Sequence, residues 1–146
     1  MHSLNFDEGY KEFSINGDEN RVIRFNPADY GLLERYKEAR NTIMKSIDKL
    51  QSDIELKNDG SAKDETDEAA DQLASVRQLI FEQVNYIFNA DVSKTVFGNQ
   101  SPISTVKGKF LFEGFIEAAG AIITDAVNKE QAASQKRIDK YVKQVR

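Results

Sequence analysis

The spacing of apolar residues changes twice along this chain, and each change marks a change of element. Residues 10–15 (YKEFSI) and 21–25 (RVIRF) alternate. Phe13 and Ile15 fall on one face of the first run, and Ile23 and Phe25 on one face of the second. The intervening NGDEN contains Asn16-Gly17, which tolerates positive φ, so 10–25 is expected to form a β-hairpin with a five-residue loop at 16–20. A lone hairpin is marginal in water and needs a surface to pack on. NPADY at 26–30 then reads as a helix start, with Asn26 to cap, Pro27 in the first turn and Asp29 complementing the dipole. The helix expected over 27–56 carries Leu33, Tyr36, Arg40, Ile43, Ile47, Leu50 and Ile54, at gaps of 3, 4, 3, 4, 3 and 4. This is a heptad seam with one charged intruder, Arg40. Leu33, Tyr36, Ile43, Ile47, Leu50 and Ile54 are candidates for self-association, with packing inside the chain as the alternative.

Turn formers interrupt the period at 57–65 (KNDGSAKDE), which reads as an acidic inter-helix loop. A second helix is expected over 66–90, with Ala70, Leu73, Val76, Ile80, Val84 and Ile87 as its stripe and Leu79 and Phe88 widening it. Residues 91–109 read as a short helical turn, stopped by Gly98, and a connector stiffened by Pro102. The last helix, expected over 110–143, is strongly apolar to Val127 and polar and basic beyond Lys129. The fold expected is therefore mainly α (α+β). One domain, 1–146, packs an N-terminal β-hairpin on a bundle of about three long helices plus a short connecting helix.

Composition narrows the function more than it narrows the fold. The 146 residues are enough for one domain that buries roughly 68–70% of its unfolded surface. Charged residues make up 30% of the chain and the net charge is −4. No run of 18 apolar residues exists, so no membrane span is expected. Residues 1–15 carry Asp7, Glu8 and Glu12, the wrong composition for a secretory signal, so a cytosolic protein is expected. The absence of cysteine removes disulfides, thiolate nucleophiles and cysteine-based zinc sites. The single histidine, His2, sits at an end that frays, whereas a catalytic relay needs a histidine held by packing.

Four kinds of chemistry fail or are disfavoured on the residues themselves. In FGNQSPISTVKGKFLFEGF (97–115), Gly108-Lys109 is followed by Phe110 and the earlier glycine position is Ile103, so a phosphate loop fails. A calcium loop counted back from Gly60 puts Lys57 at its third position and Thr66 at its twelfth. A di-iron site wants inward Glu and Glu-x-x-His, and the seams offer neither. The basic end, 129–146, has six Lys or Arg against two acids but only Tyr141 for base stacking, so nucleic acid is disfavoured. No catalytic, cofactor-binding or metal-ligating residue is therefore assigned. Phe97, Phe110, Phe112, Phe115 and Ile116 remain as candidates for a partner surface, with the core as their alternative role, because clustered aromatics serve both.

Three stretches look familiar together: INGDENRVIRFNPADYGLLERY (15–36), VNYIFNADVSKTVFGNQSPISTVKGKFLFEGFIEAA (84–119) and KRIDKYVK (136–143). They resemble the tail assembly chaperones of long-tailed phages and of prophages in Gram-positive bacteria. The resemblance covers a little under half of the chain and omits the acidic loop. It implies a non-enzymatic protein that coats the tape-measure protein while the tail tube polymerises, and that is absent from the mature virion. It also implies a longer frameshift product whose added domain recruits the tail tube protein, this chain corresponding to the short one. A homo-oligomer is a further expectation, because the 53–71 stretch (−6) and the 129–146 end (+4) are oppositely charged. The rival readings are a virion structural or connector protein, which would persist in particles, and a small regulatory nucleic-acid-binding protein acting through the basic end.

Overall fold

A computed structural model describes residues 1–57 and 65–145. It is mainly α, with a two-stranded hairpin packed on helices. Strands β1 (Lys11–Ile15) and β2 (Asp18–Phe25) pair antiparallel, with Phe13 opposite Ile23 and Lys11 opposite Phe25. The turn is tighter than the sequence suggested. Ile15 pairs with Asp18, so Asn16 (φ 53°) and Gly17 (φ 77°) form a two-residue loop. Positive φ at both positions is the twist that suits a right-handed hairpin. The register then shifts between Ser14 and Ile15, which absorbs Glu19–Arg21 as an irregularity in β2.

Helix α1 (Tyr30–Lys57) begins three residues later than expected, and its cap is Asp29 rather than Asn26. Asp29 Oδ1 accepts the Gly31 N–H at 2.9 Å, while Asn26 Oδ1 accepts from Ala28 N at 3.0 Å in the turn before it. Helix α2 (Glu65–Phe88) runs antiparallel to α1 and makes the largest interface of the fold with it. It ends at Phe88, two residues short of the expected end, because Asn89 turns to a φ of 51°. The expected acidic loop at 57–65 falls largely outside the described residues. After α2 come α3 (Ser93–Phe97) and a small hairpin, β3 (Thr105–Val106) with β4 (Lys109–Phe110), and then the long α4 (Leu111–Val145). The β3–β4 hairpin was not anticipated. Gly108 sits with Lys107 in its turn, at φ 81° and 54°.

The core corrects the heptad seam. The buried face of α1 is Leu32, Tyr36, Ala39, Ile43, Ile47 and Leu50. Leu33 is only half-buried, and the side chain of Ile54 lies outside the described residues. The intruder Arg40 does not enter the seam, because the stripe passes through Ala39 and leaves the Arg40 guanidinium 5.7 Å from the Tyr36 ring. Tyr36, Ile43, Ile47 and Leu50 are thus spent inside the chain, against α2 and α4. On α2, Val76, Ile80, Val84, Ile87 and Phe88 are buried, but Ala70 and Leu73 are exposed, so the stripe narrows toward its N-terminus.

Candidate functional site

Three polar joints fix where the aromatic side chains point. Arg21 of β2 donates from Nε to Thr95 O (2.9 Å) and from Nη2 to Val96 O (2.6 Å), which ties the hairpin to α3. Asn85 of α2 accepts through Oδ1 from the backbone N–H groups of Val92 (2.8 Å) and Ser93 (2.9 Å), satisfying the first donors of α3. Ser93, itself buried, donates to Phe81 O at 2.6 Å. Tyr36 of α1 donates to Ile116 O of α4 at 2.8 Å. Among the described residues no buried side-chain nitrogen or oxygen lacks a partner.

Held by these joints, six phenylalanines form a continuous row through the protein. Phe13 stacks on Phe25 at 4.5 Å, Phe25 meets Phe88 edge-on at 4.9 Å, and Phe88 lies 6.1 Å from Phe115. Phe115 reaches Phe97 at 6.0 Å, and Phe97 reaches Phe81 at 6.1 Å. Such offset and edge contacts favour rigid placement of the rings. Above this row lies an open groove of about 360 Å³ between the β1–β2 hairpin and α4. Phe88, Phe97 and Phe115 belong to its floor and walls. Ile15, Leu111, Ala118 and Ile122 form its mouth, with Ser14 and Asn16 as polar neighbours.

The five aromatic and aliphatic candidates from the sequence do not form one surface. Phe97 and Phe115 line this groove. Phe112 and Ile116 point to the other side of α4, where with Arg40, Ile43 and Met44 of α1 they line a second groove of about 330 Å³. Phe110 stacks on Phe112 at 5.7 Å. Phe97, Phe112 and Ile116 are buried, while Phe110 and Phe115 remain partly accessible. Sequence reading missed the contributions of Phe13, Ile15, Phe25 and Phe88, which come from β1, β2 and α2, outside the 97–115 stretch. The signal available was the shared face of Phe13 and Ile15, which needed a destination.

The groove lining is mostly apolar, with Ser14 and Asn16 as its polar members. Among the described residues no group of three or more His, Asp or Glu side chains is placed to hold a metal ion. No helix among them is long and apolar enough to cross a membrane. Compared with known protein families, with curated proteins and with solved structures, the chain matches none.

Proposed function

We propose that this protein is a non-enzymatic tail assembly chaperone that holds helical segments of a phage tape-measure protein during tail morphogenesis. The observation that carries the reading is the open apolar groove over Phe88, Phe97 and Phe115. A groove of this kind accepts apolar side chains at i, i+3 and i+4 of an amphipathic helix. It offers no buried charge and few polar groups to demand a particular small ligand. That suits a client recognised by its repeating apolar face and later released. The resemblance carried by 15–36, 84–119 and 136–143 supports the same reading. The rest of the proposal follows from it: action in the host cytoplasm, absence from the finished virion, and a longer frameshifted form that engages the tail tube protein.

Co-expression with the tape-measure protein of the same genome tests this, scored by its solubility and co-purification. The chaperone reading expects a soluble complex, and expects this chain to be missing from purified particles by mass spectrometry. An insoluble, unbound tape-measure protein together with this chain in finished particles would make it a virion component instead.

A further inference from the structure

Residues 1–8 precede β1, lie outside every helix and strand, and are exposed. Leu4 and Phe6 among them are 93% and 76% exposed. They stand two residues apart, so an extended segment puts both side chains on one side. The hydrogen bond made by residues 1–6 is local, from Ser3 Oγ to Asn5 Oδ1 at 2.9 Å. The segment is fixed to the body at Gly9. Asn26 Nδ2 donates to Glu8 O at 3.3 Å, and Asp7 Oδ1 accepts the Gly9 N–H at 2.9 Å. Gly9 has a φ of 73°, and a Cβ there would come within 2.9 Å of Asn26 Nδ2. Both the left-handed turn and the close approach call for glycine.

That anchor stands toward one end of the apolar groove. Lys11 pairs with Phe25, so the segment meets the hairpin at its Phe25 end, just before α1 begins. Tyr36 of α1 abuts Gly120 of α4, while Ile43 and Met44 lie beside Phe112 and Ile116. Numbers fall along α1 as they rise along α4, so the two helices are antiparallel. The start of α1, and Gly9 with it, therefore lies toward the Ile122 end of the groove rather than the Leu111 end. Between Leu111 and Ile122 the groove follows α4 for roughly 16 Å, at ~1.5 Å per residue. The extended run from Gly9 back to Leu4 reaches about 17 Å, at ~3.4 Å per residue. A reversal at Gly9 thus carries Phe6 over the Ala118 part of the mouth and Leu4 toward Leu111.

We propose that residues 1–8 form a strap that closes over this groove from Gly9, with Phe6 and Leu4 taking the place of a client's apolar side chains. The structure has the strap withdrawn and the groove open. The strap's regulatory meaning rests on the groove being the client site proposed above, but its closure does not, and is tested without a client. Tethering holds the two side chains near the groove at an effective concentration that a free peptide lacks. Their burial is opposed by the freedom lost from the whole segment, so the closed strap yields to a longer amphipathic helix that fills the same floor.

The chain contains no tryptophan, so Phe6→Trp in the full-length protein supplies a single reporter at an exposed position. Its indole emission is expected to lie at shorter wavelength than that of the unfolded chain in urea, and to lose most of its quenching by acrylamide. Adding Ala118→Glu, which puts a carboxylate in the mouth of the groove, is expected to return emission and quenching to those of an exposed indole. Adding Ala121→Glu is expected to leave both unchanged, and circular dichroism checks that each variant keeps its helicity. An indole fully exposed in Phe6→Trp itself would overturn the proposal. So would a shift that survives Ala118→Glu, or one that grows with protein concentration, which would seat the segment in a neighbouring copy instead.

Discussion

Gly120 of α4 is where the packing of α1 is most exposed to a single atom. A Cβ built there would land on the Tyr36 hydroxyl and 3.0 Å from its Cζ, while that hydroxyl is committed to Ile116 O. Gly114, six residues earlier, has nothing within 4 Å of the same atom. Alanine improves helix propensity by about 1 kcal/mol at either site. Gly114→Ala is therefore expected to stabilise the protein by about that amount, and Gly120→Ala to destabilise it, the sign difference being read by urea unfolding. Equal shifts at the two positions would contradict the packing described. A second expectation concerns Tyr86, whose phenol is held above its usual 10.0 chiefly by its hydrogen bond to the Glu38 carboxylate. The folded state keeps that proton longer than the unfolded chain does, so its contribution is complete below pH 10.0 and fades as the pH climbs through the raised value. An ultraviolet titration of Glu38→Gln is expected to move the Tyr86 midpoint back down toward 10.0. At this scale the sequence showed that Tyr36 belongs to a buried stripe. It did not show the hydroxyl's partner, which lies 80 residues away. Arg40 looked like a flaw only because a strict heptad was imposed on a helix that turns every ~3.6 residues.

Among the elements, α3 depends most on its neighbours. Five residues cannot sustain a helix alone, because nucleation costs more than one turn returns. Its first N–H groups are capped by Asn85 from α2, and its last carbonyls are held by Arg21 from β2. Asn85→Ala strips both capped donors and is expected to cost about 1–3 kcal/mol in stability. Amide exchange at Val92 and Ser93 is expected to quicken more than exchange in mid-α1. Unchanged protection there would mean that α3 is held by its buried side chains alone. The stop at Gly98 was legible, since its N–H closes on Lys94 O at 2.7 Å with φ at 64°. The β3–β4 hairpin was not, because two-residue strands leave no alternation to detect and its turn is Lys-Gly rather than Asn-Gly. What that hairpin does is position the start of α4: Leu111 N donates to Ser104 O at 2.7 Å and Phe112 N to Pro102 O at 2.9 Å. Those bonds satisfy two of the donors that a helix start leaves open.

At the scale of the whole molecule, the fold class was readable because long 3.6-period stripes and one alternating segment permit few arrangements. The site was readable only in part. The aromatic residues near 97–115 stood out as candidates, but a helix presents different faces at 112 and 115, so they separate into two grooves. No local spacing could reveal that the hairpin, through Phe13 and Phe25, completes one of them. The claim that this groove receives a helical client is tested most directly by blocking its mouth without touching the core. Ala118 is exposed at that mouth, and Ala121, equally exposed on the same helix, faces the α1 side. In a pull-down of the co-expressed tape-measure protein, Ala118→Glu is expected to lower capture by about tenfold or more, since a carboxylate would have to be desolvated against apolar surface. Ala121→Glu is expected to leave it near the wild-type level. Equal capture by all three proteins, or a greater loss from Ala121→Glu, would contradict the assignment of this groove.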